Sequence, residues 1–246
     1  HALGATYNNG NKVGNCEYAD MTCFSFHPVK GIAAGEGGMI TTNDFDIYRK
    51  LTLLRSHGIT KGNFEFPGVS RPDNSLVNKD AALEAGELKR WYYEMQSLGF
   101  NYRITDIQSA LAISQMGKID LFLDARRSMV KVYDKAFKDI PNITPLQAHG
   151  RDNSSHHIYV VSIDFDKIGM TRHQFMEKLA EQGVGSQVHY IPVVSQPYYQ
   201  ELGYKIQQYS ITDAYYQNTL SIPLYYGLSD VDQRLVISSI RKLLGK

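Results

Sequence analysis

Cysteine is scarce in this chain: Cys16 and Cys23 are the only two among 246 residues. Two thiols cannot build the disulfide framework of a small secreted scaffold, so a reducing, cytoplasmic setting is expected. Long apolar runs are lacking as well, since no stretch approaches the roughly 18 residues of a helical membrane span. Charge of one sign is also missing. Lysine and arginine number 26 against 25 aspartates and glutamates, a formal net charge of +1. That balance offers no footprint for nucleic acid or an acidic membrane surface. Paired metal-ligand spacing is absent too. Cys16, Cys23, His27 and His57 include no C-x-x-C or H-x-x-x-H element, so no metal site is expected. No signal-peptide pattern is visible. The opening His1-Ala2-Leu3-Gly4 reads like the end of a strand entering a loop, and an N-terminal portion is expected to be missing.

What is present is the composition of an ordinary globular protein, 43% hydrophobic and 21% charged. The length suits one large domain or two unequal ones. Met21 to Phe26 and Gly38 to Thr42 read as strands around a glycine-rich loop. Asp44 and Thr105 are helix caps, and a third helix follows from Asp120 to Asp139, where Pro141 stops it. Residues 58–84 form a long polar excursion. Further on, residues 157–164 and 184–190 read as strands. Thr171, Ser210 and Ser229 start helices, and Gly183 ends one. The expected division is a larger domain over 1–124 and a small α/β domain over 125–246.

The chemistry concentrates in Ser25-Phe26-His27-Pro28-Val29-Lys30, followed by Gly35-Glu36-Gly37-Gly38. Glycines let a backbone approach a ligand closely. A lysine fixed in such a loop becomes a nucleophile toward an aldehyde once it loses its proton, and a nearby serine can donate to a phosphate. The spacing matches neither a Walker loop nor the G-x-G-x-x-G dinucleotide pattern. On chemistry alone, a solvated surface residue is the default reading of Lys30.

A series of motifs in order changes that. HALGA at 1–5, SFHPVK at 25–30, GEGGMITTND at 35–44, RSHG at 55–58, GFNYRITDIQSAL at 99–111, QVHYIPV at 187–193 and SIPLYYGLS at 221–229 together resemble the DegT/DnrJ/StrS family of pyridoxal 5'-phosphate (PLP) sugar aminotransferases. The resemblance implies an α/β PLP-dependent transferase of fold type I, of the aspartate aminotransferase kind. The detail of QVHYIPV and QPYYQELGY is most like the branch serving pseudaminic acid biosynthesis. That branch implies glutamate as amino donor and a UDP-linked 4-keto-6-deoxy-N-acetyl hexose as acceptor, in a homodimer with shared active sites.

Residue by residue, the resemblance implies that Lys30 is the Schiff-base lysine and proton carrier, and that Ser25 donates to the cofactor phosphate. Asn101 reaches the phosphate across the dimer interface, and His1 lies close to the cofactor ring. His27, Tyr102, Arg103, His189 and Tyr190 are candidates for substrate contact. Their bland alternatives are a structural histidine for His27 and an ion pair with Asp106 for Arg103. Glu36 is expected to organise its loop by accepting backbone N–H bonds. The family's aspartate for the pyridine nitrogen falls before His1, as do its phosphate loop and stacking aromatic. Two other readings stand beside aminotransfer. One is a sugar dehydratase of the same fold, in which histidine replaces the lysine, so that Lys30 argues against it; the other is a PLP-binding dimer without turnover.

Overall fold

The computed structural model describes residues 1–61, 78–85, 87–146 and 151–245. Most of the polar excursion, residues 62–77, lies outside them. The chain divides into two compact units, Gly10–Gly117 and Lys118–Lys246 joined by His1–Asn9. This differs from a division at 124/125.

In the unit 10–117, strands β1 (Thr22–Ser25) and β2 (Gly38–Thr41) pair antiparallel, with Ser25 opposite Gly38. Helix α1 (Phe45–Arg55) starts at Asp44, whose carboxylate accepts from Ile47 N at 2.8 Å. Helix α2 (Asp106–Met116) starts at a reciprocal capping box between Thr105 and Gln108. Two-residue ladders join Ile59–Thr60 to Glu94–Met95, and Leu83–Glu84 to Glu87–Leu88. The helices bury little: α1 has no buried residue and α2 only Ala112.

The C-terminal unit is built differently. Helix α3 (Ile119–Phe137) buries Phe122, Leu123, Arg126, Met129, Val130, Tyr133 and Phe137, a stripe at helical spacing. It shares a core with strands β3 (Ile143–Pro145), β4 (Tyr159–Ile163) and β5 (Thr219–Ile222) and helices α4 (Arg172–Glu181) and α6 (Asp230–Leu243), while α5 (Ser210–Asn218) buries no residue. The later turns of α3 belong to this core, and its first turns are held in the same unit by Phe122 against Tyr226 and Leu123 beside Gly4.

The sheet order is β3-β4-β5 and both pairings are antiparallel. The unit therefore mixes helices with an antiparallel sheet rather than alternating parallel βα repeats. Burial alternates along β4, and Tyr159, Val161 and Ile163 point into the core with Phe175, Leu179, Leu220 and Ile240.

Several local expectations meet the structure directly. Thr171 makes a full capping box with Gln174. Gly183, at φ 78°, closes α4: its N–H donates to Ala180 O, and Val184 N donates to Leu179 O. That is the hydrogen-bond pattern of a Schellman motif.

Others need correction. Residues 184–190 are not a strand. Only Gln187 pairs, with Ser221 on the free edge of β5. The strand expected from His157 begins at Tyr159, because His156 has a positive φ of 46° and turns the chain just before it. HALGA forms a turn closed by Ala5 N to Ala2 O.

Candidate active site

Ser25, His27 and Lys30 lie on the loop between β1 and β2. Phe26 N donates to Gly37 O and Ala34 N donates to Phe26 O, both at 2.9 Å, so the loop is tied at its base. Phe26, Ile32 and Ala34 are buried and anchor it from within. Between these anchors Lys30 is half-buried, and its N–H donates to His27 O at 2.9 Å. Ser25 is exposed at the end of β1, and its Oγ accepts from His27 N at 3.4 Å. An amine and a hydroxyl five positions apart are thus held by a loop whose backbone is fixed at both ends.

Glu36 does not organise this loop through backbone N–H groups. Its exposed carboxylate instead lies 3.8 Å from His27 Nε2. An exposed contact of that length contributes little to stability.

The motifs RSHG and GFNYR fold against each other. His57 N donates to Phe100 O, Phe100 N to Leu54 O and Tyr102 N to Arg55 O, at 2.7–3.0 Å, and Ser56 bridges to Asn101. Glycine is required at this crossing. A Cβ on Gly58 would stand 1.8 Å from Ser97 O, and one on Gly99 would stand 2.2 Å from Gly58 N. Asn101 is presented exposed by this pairing, with Tyr102 stacked on Phe100 at 4.7 Å. Ile104 Cδ1 lies 3.1 Å from where a Cβ on Gly37 would be. The Asn101 segment therefore runs beside the Lys30 loop. Arg103 is exposed, and no ion pair joins it to Asp106 among the described residues.

His1, His189 and Tyr190 belong to the C-terminal unit. His1 stacks flat on His157, with ring centroids 4.3 Å apart, and its carbonyl accepts from Ser155 Oγ at 2.9 Å. His189 Nδ1 lies 2.7 Å from Ser221 Oγ and meets the Tyr190 ring edge-on. His189 and Ser221 face a cleft of about 230 Å³ lined also by Ile158, Gln187, Pro223 and Leu224. Tyr190 is exposed. Sequence reasoning missed Ser221, although it opens the SIPLYYGLS motif. It also missed Arg126, whose signal is a charged residue at a buried position of the α3 stripe.

Residues 1–241 match the model of the DegT/DnrJ/EryC1/StrS aminotransferase family. The chain belongs to this family. Among its relatives are the spore coat polysaccharide biosynthesis protein SpsC of Bacillus subtilis, 33% identical over 99% of this chain and 58% of the relative. The UDP-4-amino-4,6-dideoxy-N-acetyl-beta-L-altrosamine transaminase of Helicobacter pylori is 32% identical, over 98% and 56%. Among solved structures, Helicobacter pylori PseC, an aminotransferase involved in pseudoaminic acid biosynthesis, superposes with a TM-score of 0.81 at 31% identity, covering 100% of this chain and 58% of that one. The sugar aminotransferase Spr1654 of Streptococcus pneumoniae, solved in a PLP form, gives 0.79 at 28% identity, covering 100% and 56%. The chain thus spans somewhat more than half the length of the relatives it matches. No described helix is long and apolar enough to cross a membrane.

Proposed function

We propose that the protein is a PLP-dependent aminotransferase that moves an amino group from glutamate to the C4 keto carbon of a UDP-linked 4-keto-6-deoxy-N-acetyl hexose, within a fold-type I dimer. The observation that carries this reading is the anchored β1–β2 loop. It presents a primary amine suited to an aldehyde and a hydroxyl suited to a phosphate. Those groups fit PLP. Family membership and the names of the relatives support the same reading.

When bound, PLP supplies the electron sink for chemistry at the amine-bearing carbon. The protein supplies the rest. Lys30 Nζ holds the cofactor covalently and carries the proton between cofactor and substrate carbon. Ser25 Oγ donates to the cofactor phosphate. Asn101, exposed beside the loop, reaches the phosphate of a partner subunit's cofactor. Apolar residues left exposed on α2, among them Ile107 at 84% and Ile113 at 72%, favour such a partner. His1 lies at the cofactor ring. His27, Tyr102, Arg103, His189 and Tyr190 contact the sugar nucleotide or the donor. The unit holding Lys30 is the cofactor-binding portion of the large domain, and the C-terminal unit is the small domain.

A second reading has another nucleotide-linked keto sugar as acceptor, and similarity to SpsC, named for spore coat polysaccharide biosynthesis, leaves room for a different sugar. The visible absorption of the PLP-loaded protein tests the whole reading. Glutamate is expected to bleach the band of the lysine-bound cofactor and raise the pyridoxamine band. A band that ignores glutamate overturns the donor assignment and leaves a binding role without turnover. Once the first half-reaction is seen, a panel of UDP-linked keto sugars selects the acceptor.

A further inference from the structure

The buried guanidinium of Arg126 has no carboxylate partner among the described residues. The residue is only 8% exposed. Burying an unpaired cation is costly, so such a group needs strong acceptors nearby. Arg126 finds three: Nη1 lies 3.2, 3.1 and 3.0 Å from the carbonyl oxygens of His156, His157 and Leu224.

These carbonyls share a place in the fold. The β4–β5 ladder runs from Ser162–Thr219 to Tyr159–Ile222 and stops there. It cannot continue through Pro223, which has no N–H to donate. The strands splay, and the carbonyls beyond the last pair lose their ladder donors. Backbone acceptors buried in this way must be satisfied from elsewhere. Helix α3 satisfies them from two positions seven residues apart on one face. Arg126 takes the carbonyls above, and Tyr133 Oη donates to Pro223 O at 2.9 Å.

Two candidate site features are built on this splayed end. His157 carries the flat stack with His1. Ile158, Pro223 and Leu224 form a wall of the cleft that holds His189 and Ser221.

We propose that Arg126 is a positioning residue for the sugar-nucleotide side of the active site. It holds the splayed strand ends so that His157 lies against His1 and the His189 cleft keeps its wall. Arg126 itself does not touch substrate. The substrate half of this inference rests on the aminotransferase reading above; the structural half does not. Lysine is a poor substitute, because its stem is one bond shorter and its ammonium stops short of the place where Nη1 meets all three carbonyls.

The test compares Arg126→Met and Arg126→Lys in the full chain by histidine-ring NMR and steady-state kinetics. Tyr133→Phe, which removes only the Pro223 bond, serves as a control. Arg126→Met is expected to displace the ring resonances of both His157 and His189. It should raise KM for the UDP-linked keto sugar by roughly tenfold or more, with kcat changed less. Arg126→Lys, which keeps the charge and most of the stem and carries the test if the methionine variant does not fold, should show the same displacement. Tyr133→Phe should move His189 and spare His157. Unmoved His157 and His189 resonances in a folded Arg126 variant overturn the proposal, as does an unchanged KM. If the intact wild-type protein shows no turnover, the aminotransferase reading fails by itself, and the NMR comparison still decides the role of Arg126.

Discussion

The two units of this protein put their apolar residues to different uses. The C-terminal unit closes a contiguous core. Tyr133, Phe137, Phe175, Leu179, Leu220 and Ile240 are fully buried there, drawn from three helices and a sheet strand. The unit that carries Lys30 buries short loop anchors such as Phe26, Ile32 and Ala34, and leaves Trp91, Leu98, Ile107 and Ile113 exposed. One unit is organised around its own interior. The other is organised around a loop and has no comparable core cluster among the described residues, although both units leave large apolar side chains exposed. Chemistry-bearing residues are divided between them, and that division gives each substitution a different expected signature.

The largest effect is expected in the loop. Lys30→Ala should abolish covalent attachment of PLP and turnover, and should lower the melting temperature of the PLP-loaded protein by removing the stabilisation that bound cofactor gives. An unchanged cofactor band in that variant would sink the assignment of Lys30. Next comes the C-terminal core. Phe175→Ala should cost about 3–5 kcal/mol in denaturant unfolding, through lost burial and the cavity left behind. The matching change on the exposed face, Ile107→Ala, should stay within about 0.5 kcal/mol in a monomer and instead weaken self-association in sedimentation. Equal destabilisation by both substitutions would erase the contrast between the units.

A smaller effect belongs to the polar knot behind the core. Tyr159 Oη donates to Asp134 at 2.6 Å, and Arg151 pairs with the same carboxylate. Burial, reinforced by the neighbouring carboxylate, pushes the Tyr159 phenol well above its usual range. Asp134→Ala should cost about 1–3 kcal/mol, since it strands a buried hydroxyl and a guanidinium together. Asp134→Asn, which keeps an acceptor, should recover part of that.

The smallest effect is a pH dependence confined to the C-terminal unit. Burial holds the His156 imidazole below its ordinary value, ahead of opposing contributions from the Arg151 backbone and Asp134. Its folded pKa is depressed, so the unfolded chain binds the proton more readily. Stability should therefore be full above the unfolded value of about 6.5 and decline as pH falls below it. His156→Asn tolerates the positive φ and should flatten that slope. A slope that persists in the variant would assign the effect to another group.

Much of the fold could be read from the sequence where the signal is local. Asp44, Thr105, Thr171 and Ser229 cap the helices expected of them, because a capping side chain needs only the backbone three residues on. The strands around the Lys30 loop and the periodic face of α3 were equally legible. The failures are tertiary. Residues 184–190 have strand-like composition, yet the edge of β5 accepts only Gln187. Positive φ at His156 cuts a strand short in a way that no propensity announces. The boundary between units follows from which unit claims the first turns of α3, and that is settled by packing. At the candidate site, the lysine loop and its serine were visible as motifs. The Ser221 hydroxyl beside His189 and the Arg126 hold on the splayed strands depend on residues 32 and about a hundred positions apart, and pattern reading along one chain does not reach them.

The central claim is that Lys30 is the cofactor lysine, and borohydride trapping tests it most directly. The PLP-loaded protein is reduced, digested and sequenced by mass spectrometry. The account predicts a phosphopyridoxyl group on the peptide containing Ser25 to Lys30, attached at Lys30 and lost in Lys30→Ala. A stoichiometric label on any other lysine, or none on a protein that has bound PLP, would contradict it.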